Sequence, residues 1–124
     1  MRSKKILAVL DDLLFTVKIN DLAKRAGLSV EFLKSEHDVL LRAKELPTLI
    51  IVDLNAHSVN SVDIIEKLKA DDATKAVSIL AYVSHVQGEL KQKAQDAGAD
   101  MVLARSAFST NLPVILKRHA SPAM

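Results

Sequence analysis

Asp11 and Asp12, Asp53 and Asn55, Ser84 and His85, and Arg105 share one feature: each stands where a short apolar run stops. If those runs are neighbouring parallel strands, the polar residues meet at one sheet edge, where open α/β sheets hold their ligands. Carboxylates gathered there repel, so at neutral pH they need a cation or must hold protons. The chain has no cysteine, and an oxygen donor set favours Mg²⁺, which keeps most of its waters and takes one or two carboxylates. An Asp beside such an ion can attack phosphorus and form an acyl phosphate. An Arg on the far side could grip phosphoryl oxygens.

The runs themselves are legible. Leu49-Ile50-Ile51-Val52, between Pro47 and Asp53, has no polar face and suits a strand buried on both sides. Lys5 to Leu10 reads as a first strand, Val30 to Leu33 as a second, Val77 to Val83 as a fourth and Met101 to Ala104 as a fifth. Between them lie helical periods. Phe15, Ile19, Leu22 and Ala26 share one face, and Gly27 marks the stop. Ser35 with Asp38 predicts a cap for a second helix, which must end before Pro47. Val62, Ile64, Ile65 and Leu68 give a third helix its face, with Ser61 as its cap. Leu90, Ala94 and Ala97 do so for a fourth, closed by Gly98. Leu112, Ile115 and Leu116 form the face of a fifth, with Pro113 in its first turn. Five alternations with short connections predict an α/β fold: a doubly wound, five-stranded parallel sheet of order 2-1-3-4-5, flavodoxin-like, forming a single domain over residues 1–124 with its core about 4–119.

Composition narrows the function. No apolar run is long enough to span a membrane, and the stretch after Arg2, Lys4 and Lys5 breaks at Asp11-Asp12, too early for a signal peptide. A cytoplasmic protein is expected. The formal charge is only +2 and aromatics are 3%, so a nucleic-acid surface is not expected. The Walker and dinucleotide glycine patterns are absent. An Asp-nucleophile phosphatase of the haloacid dehalogenase type would need a second Asp two residues after the strand-one acid, where Leu13 stands.

Residues 4 to 119 resemble the receiver domain of two-component response regulators, the CheY-like family. The resemblance is carried by Lys4 to Asp11, by Leu49 to Asn55, and by the turn Ala97-Gly98-Ala99-Asp100. It implies a phosphorelay signalling module rather than an enzyme, with Asp53 as phosphoacceptor. Asp11 and Asp53 become ligands of a weakly held Mg²⁺, with the main-chain carbonyl of Asn55 as a third. Asp12 reads first as a helix-start acid and second as a substitute for the family's other strand-one acid, which aligns with Leu10. Arg105 aligns with the phosphoryl-contacting lysine and is expected to pair with Asp53 or turn to solvent. The hydroxyl that ends strand four aligns with Val83, with Ser84 as the adjacent candidate, and the aromatic switch of strand five aligns with Val102. His57 and His85 are alternative metal ligands; His37 and His119 read as surface residues. The implied partners are a histidine kinase or phosphotransfer protein, and a downstream protein or output domain docking on helix 4, strand 5 and helix 5. A homodimer fits the same pattern. With both switch positions valine, the alternative reading is a pseudo-receiver that binds partners whatever its phosphorylation state.

Overall fold

In the computed structural model, which describes residues 4–84 and 88–120, strands and helices alternate in chain order. They are β1 (Lys5–Val9), α1 (Leu13–Arg25), β2 (Ser29–Leu33), α2 (Glu36–Ala43), β3 (Leu49–Asp53), α3 (Ser61–Ala70), β4 (Ile79–Val83), α4 (Gly88–Ala97), β5 (Met101–Ala104) and α5 (Arg105–Ala120). All pairings are parallel, in the order β2-β1-β3-β4-β5. The expected topology holds, with β3 central and buried along its whole length.

Strand alternation splits the core in two. On one face, Leu7, Val9, Ile50, Val52, Ile79, Ala81, Val83 and Val102 pack under α2, α3 and α4. On the other, Ile6, Ala8, Leu10, Leu49, Ile51, Leu80 and Tyr82 pack under α1 and α5.

Local chemistry sets the helix ends. Asp12 caps α1 by accepting from the Phe15 N–H at 3.2 Å, and Ser35 caps α2 by accepting from Asp38 at 3.1 Å. Gly27 after α1 and Gly98 after α4 take φ of 79° and 110°, the left-handed region. At Gly98 a Cβ would also meet Lys69 Cγ at 2.8 Å. That lysine is fixed in place: its Nζ donates to the Val77 carbonyl and to Asp100, each at 2.9 Å, and Asp100 in turn accepts from the Ile79 N–H at 2.7 Å. The Ala97-Gly98-Ala99-Asp100 turn thus anchors the start of β4.

Two expectations fail locally. Asn60, not Ser61, caps α3, accepting from Asp63 at 3.1 Å; Ser61 is the first helical residue, buried, and donates instead to the Asp53 carbonyl at 2.7 Å. Pro113 lies in the interior of α5, which begins at Arg105. Proline removes one N–H from the helical ladder, and Pro113 stands on the exposed side, where water can serve the orphaned carbonyl. The extra turns bring Phe108 into the core, a contact that the period starting at Leu112 does not reveal.

Candidate functional site

Asp53 is the last residue of β3 and is 8% exposed. Its Oδ1 accepts from the Asn55 N–H at 2.8 Å. Burial pushes its pKa up, and the charges of Asp12 and Asp11 push it further; the Asn55 N–H and Arg105 pull the other way. At the sheet edge Asp53 therefore feels the charge of both acids that follow β1.

The three carboxylates have different local partners. Asp11, beyond the end of β1, is exposed and turned to the loop after β3. One of its oxygens accepts from the main-chain N–H groups of His57 at 2.6 Å and Ser58 at 3.1 Å, the other from the Ser58 hydroxyl at 2.7 Å. The Ser58 hydroxyl leads the effects that hold the Asp11 pKa below the usual carboxylate range. His57 contributes its backbone here, not its ring. Asp12 serves two groups: one oxygen caps α1, and the other accepts from the Arg105 guanidinium. Asp12 is thus the helix-start acid that caps α1, and its second oxygen is taken by Arg105. Arg105 pairs neither with Asp53 nor with solvent alone. It is held by Asp12 and lies over the Phe15 ring, 4.4 Å from ring centroid to Cζ.

Asn55 clasps the loop after β4. Its side-chain oxygen accepts from the Ser84 N–H at 2.8 Å and from the Ser84 hydroxyl at 2.7 Å. Ser84 thus stands near the site with its hydroxyl already engaged. Val83 and Val102 are buried together on the α2–α4 face. His37 is exposed on α2 and His119 half-buried on α5; His85 lies outside the described residues.

Tyr82 has no counterpart among the sequence candidates. It pairs in register with Asp53, so both side chains leave the sheet on the α1/α5 face. It is 1% exposed, and its hydroxyl has no hydrogen-bond partner among the described residues. Burial raises its pKa, followed by the charges of Asp53 and Asp12; the Asp53 carboxylate is close enough to add to the rise by direct contact, short of a well-formed hydrogen bond. Its ring stacks on Phe108 and meets Phe15 edge-on. The signal in the sequence was its position one residue before Val83, hence on the opposite face from it.

Oxygen donors suited to a hard cation are present, and the charges of Asp12 and Asp11 that weigh on the buried Asp53 are of the kind such an ion relieves. Among the described residues, however, no three His, Cys, Asp or Glu side chains converge as a ready ligand set. Asp11 would have to exchange its loop contacts for the ion. Among the described residues, no helix is long and apolar enough to cross a membrane.

No family model matches the chain, and no curated protein matches it at a significant level. Solved structures do resemble it. A putative response regulator from Chloroflexus aurantiacus is 21% identical, with a TM-score of 0.81, covering 98% of this chain and 100% of that one. A response regulator signal receiver domain from Bermanella marisrubri is 24% identical, with a TM-score of 0.80, covering 97% and 100%. The receiver domain of a sensor histidine kinase from Pseudomonas aeruginosa, solved with a magnesium ion in its active-site cleft, is 20% identical, with a TM-score of 0.78, covering 95% and 98%. The chain has the CheY-like receiver fold over nearly its whole length.

Proposed function

We propose that this chain is a response regulator receiver that accepts a phosphoryl group on Asp53 and has a degenerate active site. The observation that carries the reading is the placement of Asp53: buried, at the carboxyl end of the central strand, with two further acids and one arginine around it. In the transfer, an Asp53 carboxylate oxygen forms a bond to phosphorus while the bond from phosphorus to the donor's nitrogen breaks. The leaving imidazole keeps that electron pair and takes up a proton. Asp53, Asp11 and the Asn55 main-chain carbonyl would hold Mg²⁺, with Asp12 as a further candidate; the ion supplies neutralisation of charge on the transferring group. Arg105 sits where it could meet phosphoryl oxygens once it releases Asp12. A histidine kinase or phosphotransfer protein would be the donor, and a downstream protein or output domain on α4, β5 and α5 the receiver of the signal, in the cytoplasm.

A second reading, a phosphorylation-independent interaction module, is favoured by one specific observation. Arg105 and Ser84, the two groups nearest to phosphoryl-contacting roles, are already bonded to Asp12 and Asn55. Intact mass after incubation with acetyl phosphate and Mg²⁺ separates the two. The receiver reading expects a gain of one phosphoryl group that Asp53→Ala abolishes. An unchanged mass in the unaltered chain leaves the interaction module.

A further inference from the structure

Tyr82 is the single tyrosine of the chain, and its hydroxyl is hard to explain as packing. A buried hydroxyl with no well-formed hydrogen bond among the described residues is destabilising, and phenylalanine would fill the same space without that cost. The residue lies directly opposite Asp53 in the sheet, on the same face. Four charged or titratable groups bear on this region: Asp53 from β3, Asp11 and Asp12 from the end of β1, and Arg105 from α5. The ring is committed elsewhere. It stacks on Phe108 of α5 with centroids 4.5 Å apart and planes 7° from parallel, and Phe15 of α1 closes on it at 5.4 Å. One side chain therefore has its polar tip toward the acid site and its flat face on α5.

We infer that the Tyr82 hydroxyl is a positioning donor for the phosphoryl group on Asp53, and that the stack on Phe108 carries the occupancy of Asp53 to α5. The inference deepens the receiver reading and rests on it for the ligand. A phosphoryl group adds acceptor oxygens beyond the Asp53 carboxylate, next to a hydroxyl that makes no well-formed hydrogen bond among the described residues and already lies within the influence of Asp53. A bond made only in the occupied state is a differential contact, which is what moves a conformational equilibrium. Because the ring is packed between Phe15 and Phe108, its tip cannot follow the new acceptor without shifting Phe108, and with it α5. The route lies on the face opposite Val83 and Val102, where those aliphatic residues have nothing to offer a phosphoryl oxygen.

The test has two arms, read by amide and aromatic chemical shifts. The first needs no phosphoryl group. Asp53→Asn should displace the Phe108 ring and the amides of residues 108–116 in the otherwise unaltered chain, and most of that displacement should be lost when Tyr82→Phe is present as well. Equal displacement in both backgrounds overturns the Asp53–Tyr82 link. The second arm adds beryllofluoride with Mg²⁺. The unaltered chain should respond through α5 more than through α4, and Tyr82→Phe should keep the saturable shifts at residues 53–55 while losing most of the α5 response. An α5 response unchanged by Tyr82→Phe overturns the inference. If the unaltered chain shows no saturable shift with beryllofluoride, the receiver reading fails, and the first arm still decides the link. Should Tyr82→Phe not fold, 3-fluorotyrosine at this sole tyrosine reports the same events by its fluorine resonance, which must move with Asp53→Asn for the link to stand.

Discussion

The two faces of the sheet around Asp53 are built from different materials. Under α2, α3 and α4 the strands present valine, isoleucine, leucine and alanine, including Val83 and Val102. Under α1 and α5 they present Tyr82, with Phe15 and Phe108 packed on it and the Asp12–Arg105 pair at the rim. Phe32 also packs on this side, so all four aromatic residues of the chain belong to one face. A strand turns successive side chains to opposite faces. The step from Tyr82 to Val83 therefore crosses from the face that carries the aromatic residues and the Asp12–Arg105 pair to the aliphatic one.

The contrast can be broken at several points. The largest effect is expected from Phe108→Ala, which removes the stacking partner of Tyr82 and leaves a cavity between α5 and the sheet. A loss of about 3–5 kcal/mol is expected in urea melts. A loss of under about 1 kcal/mol would show that the aromatic cluster is loosely packed and cannot transmit displacement.

Val83→Thr places a hydroxyl on the aliphatic face in a similar volume. With its surroundings apolar, the hydroxyl should cost about 1–3 kcal/mol. No loss of stability would mean that this face already offers it a partner, and the distinction between the faces would shrink.

Arg105→Ala removes a half-exposed ion pair with Asp12 and a cation over Phe15. The pair contributes about 0.2–1 kcal/mol and the ring contact about 0.5–1 kcal/mol, so the expected loss is roughly 1–2 kcal/mol. The same change should raise the Asp53 pKa, because Arg105 is among the groups that lower it. A carboxyl carbon titration that leaves Asp53 unmoved would separate Arg105 from the site.

The smallest effect is expected from Asp53→Asn, and its sign is opposite. The Asp53 pKa is raised in the folded chain, so its protonated form is the better accommodated one. The stability tied to that proton is complete below the ordinary carboxylate range and disappears as pH rises through the folded value. At neutral pH the asparagine variant should therefore be more stable by on the order of 1 kcal/mol, with the advantage fading below about pH 4. Asp11 behaves in reverse: its lowered pKa gives stability above the ordinary value that is lost as pH falls through the folded one. An Asp53→Asn variant that is less stable at neutral pH would show that the carboxylate is paired after all.

The sequence alone determined the architecture, because hydrophobic periodicity dictates it. Short apolar runs between breakers, rich in β-branched residues, suit strands covered on both faces, and Gly27, Gly98 and Asp12 mark helix ends through φ and capping chemistry. It also determined that acids and an arginine meet at one edge, since parallel strands end together. Partner choice was not legible. Asp11 and Asp12 are adjacent in the chain, yet one holds the loop at Ser58 and the other holds Arg105. Those bonds join residues distant in sequence, and their geometry follows from how the loops and α5 pack. The true start of α5 was hidden because Phe108 precedes the helical period that the other apolar residues declare. Tyr82 is hidden in the sequence for a related reason. Its neighbours in sequence are core residues, and only the register of β3 against β4 sets its hydroxyl beside Asp53 rather than in an apolar interior, since a one-residue slip would have turned it to the other face.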